Sequence, residues 1–199
     1  MKKLRSYPDF IDKLIKVLNK HKVEYMIIGG ASAIIQGFNS VTQDIDLYPK
    51  KSLENSEKII NSLLELDFKL TDKDKQDILR GKDFIQFNEP YELDLAFFPD
   101  GFENYEEAKK FKIQIKEFPL LSLEGIIKSK QAANRPKDRA VLDLLKDFLK
   151  FKKEKKEYIN EDYFFIPEGY KIADIQTLQR WNRNLELLIE ERLYKGIAK

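Results

Sequence analysis

The run YMIIGGASAIIQGFNSVTQDIDLYP, residues 25–49, constrains this chain more than any other. Four consecutive bulky residues, Tyr25 to Ile28, read as a buried strand that ends in Gly29-Gly30. Thirteen residues then separate Gly30 from Asp44. That length takes one short helix, ASAIIQGF, stopped near Gly37, and a return connection. The segment DIDLYP follows as a second strand ended by Pro49. Residues two apart in a strand share a face, so Asp44 and Asp46 stand side by side while Ile45 and Leu47 enter the core.

Two carboxylates held that close repel one another unless a cation lies between them. Hard oxygen ligands at this spacing suit Mg²⁺, which commonly sits between one or two carboxylates and substrate phosphates. A later segment, YELDLAFF, turns Leu93 and Leu95 inward and Glu92 and Asp94 the other way. If this strand neighbours the first, Asp94 completes a cradle of three carboxylates suited to two metal ions. A bare D-x-D is ordinarily a charged strand face. Here that account must also cover the Gly-Gly strand end upstream and a second apolar-flanked aspartate downstream. Gly29 and Gly30 lack Cβ atoms, so a phosphate can approach their backbone and meet the free N–H groups of the helix that follows. Ser32 offers a hydroxyl donor in the first turn. Alone, the glycine pair is a plain tight turn; its distance from Asp44 gives it meaning.

The flanking sequence supplies the rest of a mixed α/β module. PDFIDKLIKVLNKHKV carries Phe10, Ile11, Leu14, Ile15 and Leu18 at helical spacing, and SLENSEKIINSLLEL is an amphipathic helix behind a Ser52 cap. TDKDKQDILRGK is a polar stretch. DFIQF and YELDLAFF are two strands joined by a turn at Asn88-Glu89-Pro90, and FKIQIKEF alternates as a half-solvated strand. After Pro119 the pattern changes to helices: SLEGIIKSKQAAN, then PKDRAVLDLLKDFLKFKK opened by Pro136, and a last one with Ile175, Leu178, Trp181, Leu185, Leu188 and Ile189 on one stripe. The expected division is an α/β core over 1–120 and a helical region over 121–199.

Composition excludes several alternatives. The 199 residues hold no cysteine, which removes disulfides, thiolate zinc sites and a cysteine nucleophile together. With Lys+Arg at 36 against Asp+Glu at 34, the net charge of +2 argues against binding of nucleic acid by bulk electrostatics. No apolar run approaches the roughly 20 residues that span a bilayer, and no secretory signal opens the chain. The expectation is a soluble, cytoplasmic protein with no membrane partner.

Together these motifs resemble the nucleotidyltransferase superfamily of the DNA polymerase β-like fold: an apolar strand, Gly-Gly, a gap of this size, apolar-Asp-apolar-Asp-apolar, and a later aspartate on a neighbouring strand. Within it, GGASAIIQG…TQDIDL followed by LEGIIKSKQAANRPKDRAVLDLL looks most like the branch of abortive-infection nucleotidyltransferase toxins. In that branch a helix carries a lysine and an Arg-Pro-Lys-Asp-like segment opens the next helix, positions that Lys130, Arg135 and Asp138 occupy here. The resemblance covers residues 20–150. It departs at Ser40, where relatives often carry an arginine two residues before the threonine that precedes D-x-D.

The resemblance implies an α+β fold, with a mixed sheet flanked by helices and a helical C-terminal part. It implies a Mg²⁺-dependent enzyme, with two ions, that moves an NMP from an NTP to an acceptor hydroxyl and releases pyrophosphate. Asp44, Asp46 and Asp94 would be the catalytic and metal-binding residues. Gly29, Gly30, Ser32, Lys130 and Arg135 would meet the triphosphate. A lysine on an amphipathic helix is as readily a solvated charge, and Asp138 is accounted for as a favourable helix-start charge. The acceptor stays open between a tRNA end, a protein and a small molecule. So does the setting: a toxin with an antitoxin partner, an aminoglycoside- or lincosamide-modifying enzyme, or a nucleotide-binding module without turnover. His21, Trp181, the aromatic run 163–165 and FKKEKKE read as surface or packing residues, and Thr42 as a turn cap before the strand.

Overall fold

The computed structural model describes residues 7–155 apart from Val41 and Gln43. The aromatic run 163–165 and the helix expected around Trp181 therefore lie outside the described residues. Six strands form one mixed sheet: β1 (Tyr25–Ile28), β2 (Ile45–Pro49), β3 (Phe84–Phe87), β4 (Leu93–Ala96), β5 (Lys112–Ile115) and β6 (Phe118–Leu121), in the order β3-β4-β2-β1-β6-β5. β1 runs antiparallel to β2 and parallel to β6, while β2 runs parallel to β4. The hairpins β3–β4 and β5–β6 close the two edges.

Seven helices flank the sheet among the described residues: α1 (Tyr7–Lys20), α2 (Gly29–Ile35), α3 (Leu53–Glu65), α4 (Asp72–Arg80), α5 (Tyr105–Lys109), α6 (Leu123–Ala133) and α7 (Pro136–Lys155). Strand alternation splits the core in two. Tyr25, Ile27, Ile45, Leu47, Leu93 and Leu95 pack beneath Phe10, Leu14, Ile59, Leu63 and Ile78 of α1, α3 and α4. Met26, Ile28 and Tyr48 face the other way, against Tyr105 of α5, Ile126 of α6 and Leu145 of α7. Asp46 alternates with Leu47 and Asp94 with Leu95, so both carboxylates belong to this second face.

The fold is the expected α+β arrangement of a mixed sheet flanked by helices, and three elements correct its details. The polar stretch before Gly81 is a helix: Thr71 and Asp74 form a reciprocal capping box, and Gly81 closes α4 in the left-handed conformation. One residue of α4, Ile78, is buried, which leaves almost no apolar periodicity to read. The helix expected at SLEGIIKSKQAAN is α6, with Ser122 as its cap, but the residues just before it, Phe118–Leu121, are a strand, with Ile27 opposite Leu120. All four of its residues are buried, so it shows an apolar run instead of an alternation. The short helix α5, begun by the Asn104 side chain accepting from the Glu107 amide, was not expected either. Ser52 does cap α3, accepting from the Asn55 amide at 3.2 Å.

Candidate active site

The β2–β4 ladder sets Asp46 directly across from Asp94. Asp44 precedes the first residue of β2, and its carboxylate joins them: one oxygen from each of Asp44, Asp46 and Asp94 lies within 4.8 Å of the other two. Asp44 and Asp46 are half-buried and Asp94 is 4% exposed. Burial, then the charges of Asp44 and Asp94, push the Asp46 carboxyl up to about 7. Burial followed by Asp44 raises Asp94 to about 6, against a lowering by the Gln86 side chain, which hydrogen-bonds it from across the ladder. Asp94 Oδ1 is buried with no protein hydrogen-bond partner. A cluster of hard, mutually repelling oxygens with one buried oxygen unpaired fits a divalent cation such as Mg²⁺.

The glycines stand against this cluster. Ile28 lies opposite Asp46 in the β1–β2 ladder, so α2 starts beside the carboxylate. Gly29 takes φ of +64°, and a Cβ there would come within 2.2 Å of Asp46 Oδ2. Any other side chain would meet both backbone strain and the acid. Gly30 gives room to Thr42, whose Oγ1 would lie 3.2 Å from a Cβ at that position.

Ser32 is turned elsewhere. It is fully buried, and its hydroxyl donates to the Leu121 carbonyl at 2.8 Å, while Gln36 Nε2 donates to the same carbonyl at 2.9 Å and to Ser32 Oγ at 3.2 Å. With Gln36 Oε1 accepting from the Leu123 amide, this network ties α2 to the β6–α6 junction. The Ser32 hydroxyl points into that junction, away from where a phosphate donor was expected, because a buried hydroxyl must find a protein partner.

The corner between α6 and α7 brings positive charge to the acids. Lys130 Nζ donates to Asp138 Oδ1 at 2.8 Å and Arg135 Nε to Oδ2 at 2.6 Å. Asp138 is fully buried, which the reading of a simple helix-start charge had not anticipated. Burial pushes its carboxyl up, but the hydrogen bonds from Lys130 and Arg135 outweigh that and leave it below the usual carboxylate range. Lys137 and Lys130 both offset the repulsion at Asp46, Lys137 does so at Asp94, and Asp46 acts in turn on Arg135. Lys137, like Arg135, is a charge near a helix start that gains nothing from the dipole and so suits a nearby anion; Gln86 was not among the expected site residues. Strand alternation alone would have put Gln86 on the acid face.

Comparison with known proteins decides the family. Residues 3–181 match the family model DUF6036, described as a nucleotidyltransferase of unknown function. The chain belongs to this nucleotidyltransferase family. No curated protein matches it. Among solved structures it is similar to a crystal structure from Thermotoga maritima described as a "putative nucleotidyltransferase", with 19% identity, a TM-score of 0.41, and coverage of 76% of this chain and 93% of that one. In this family member, no helix among the described residues is long and apolar enough to cross a membrane.

Proposed function

We propose that this protein transfers a nucleoside monophosphate from an NTP to an acceptor hydroxyl, with Mg²⁺ held by Asp44, Asp46 and Asp94. What carries this reading is the meeting of Asp46 and Asp94, from two paired strands, with Asp44, just before the first of them, beside the turn at Gly29. Bound Mg²⁺ supplies Lewis-acid stabilisation of charge on the phosphoryl oxygens. The chain's own residues do the rest. The backbone at Gly29 and Gly30 receives the triphosphate, and Lys130, Arg135 and Lys137 at the α6–α7 corner offset its charge. Asp94, buried beside the other two acids, takes the proton of the acceptor hydroxyl. The acceptor oxygen then bonds to the α-phosphorus in line as the bond to the β-phosphate bridge breaks, and pyrophosphate leaves.

The resemblance of residues 123–145 to the toxin branch supports a toxin acting in the cytoplasm, held in check by an antitoxin, with a tRNA end, a protein hydroxyl or a small molecule as acceptor. The test incubates each labelled NTP with Mg²⁺ and the wild-type protein, Asp44→Ala or Asp94→Ala, alone and with tRNA or an aminoglycoside. Wild-type transfer should fall by orders of magnitude in both variants, because metal stabilisation is worth several kcal/mol. Equal activity in all three proteins would overturn the site. Transfer to the aminoglycoside but not to tRNA would overturn the toxin role. Expression in bacteria should arrest growth with the wild type and not with Asp44→Ala.

A further inference from the structure

We propose that Thr42 is a positioning residue that aims the Asp44 carboxylate into the acidic cluster, an inference that rests on the metal reading above. The three carboxylates are not held alike. Asp46 and Asp94 sit inside paired strands, opposite each other, so the ladder fixes where both point. Asp44 lies before the first residue of β2, where ladder pairing has not begun. Its carboxylate is fixed from the side: Thr42 Oγ1 donates to Asp44 Oδ1 at 2.7 Å.

Thr42 is itself held. Its Oγ1 and Cβ would stand only 3.2 and 3.3 Å from a Cβ at Gly30, so the absent side chain of Gly30 is the space that Thr42 fills. One threonine thus joins the glycine turn to the acid. Partners of this kind orient metal ligands, and their loss typically lowers metal affinity about 10–100-fold. The hydroxyl aims the carboxylate, and the side chain's Oγ1 and Cβ, which serine keeps, occupy the space beside Gly30.

The experiment measures Mn²⁺ affinity of the full chain without nucleotide, by titration calorimetry at pH 8. It compares wild type, Thr42→Val, Thr42→Ala, Thr42→Ser and Asp46→Asn, with far-ultraviolet circular dichroism confirming the fold of each. Thr42→Val, which keeps the shape and loses the donor, should bind Mn²⁺ about 10–100-fold more weakly. Thr42→Ser should stay near wild type. Thr42→Ala serves if the valine variant fails to fold. Wild-type binding with unchanged affinity in a folded valine or alanine variant would overturn the role of Thr42 alone. A serine variant as weak as the valine one would overturn it too. No wild-type binding, or binding that Asp46→Asn retains in full, would overturn the metal reading and this inference with it.

Discussion

Asp46 lies where three demands meet: it is a strand residue, a neighbour of two other carboxylates, and the atom group that a Cβ at Gly29 would strike. Its carboxyl, raised to about 7, makes stability depend on pH. Between about pH 4 and 7 the folded protein keeps a proton there that the unfolded chain has already released. Without divalent cations, stability should therefore fall as pH rises through that interval and level off above it. Asp46→Asn should flatten the slope and melt higher than wild type above pH 7, as thermal melts in EDTA would register. Affinity for Mg²⁺ should rise over the same interval, because the ion must displace the proton; calorimetry at pH 6 and pH 8 checks this.

At the scale of elements, the α6–α7 corner is the part of the site most dependent on buried charge. Removing one partner from such a pair leaves the others unmatched. Asp138→Asn should cost about 3 kcal/mol in urea unfolding, and should weaken NTP binding as Lys130 and Arg135 lose their common anchor. A variant of unchanged stability would show that the corner is held by packing alone. Strand β1 was legible as an unbroken apolar run, and β2 and β4 because apolar residues bracket the acids at a period of two, a period that also fixed Asp94 on the acid face. Lys130, Arg135 and Asp138 were visible only as a resemblance, since a charged helix start looks the same whether its aspartate is solvated or buried. Ser32 misled for a related reason: a hydroxyl near Gly-Gly suits a phosphate on paper, and only the packing of α2 on β6 shows that Leu121 claims it. α4 lacked an apolar stripe, although its capping box was spelled out in Thr71 and Asp74.

For the molecule as a whole, the two apolar cores on either side of the sheet carry the fold, and the acids sit within one of those faces. Chelation should therefore stop transfer without unfolding the protein: EDTA should leave far-ultraviolet circular dichroism unchanged. Saturating Mg²⁺ should raise the melting temperature, by about 2.7 kcal/mol of stabilisation at a hundred times Kd. Loss of the circular dichroism signal in EDTA would contradict a fold that is independent of the ion. The parallel pairing of β2 with β4 also has a temporal side. Asp94 follows Asp46 by 48 residues, with two helices and a strand between them. At a synthesis rate of about 5–20 residues per second, several seconds pass between the emergence of the first two acids and the third. During that delay the pair Asp44 and Asp46 lacks its third carboxylate, so the acidic cluster can close only once β4 has been made and has paired with β2.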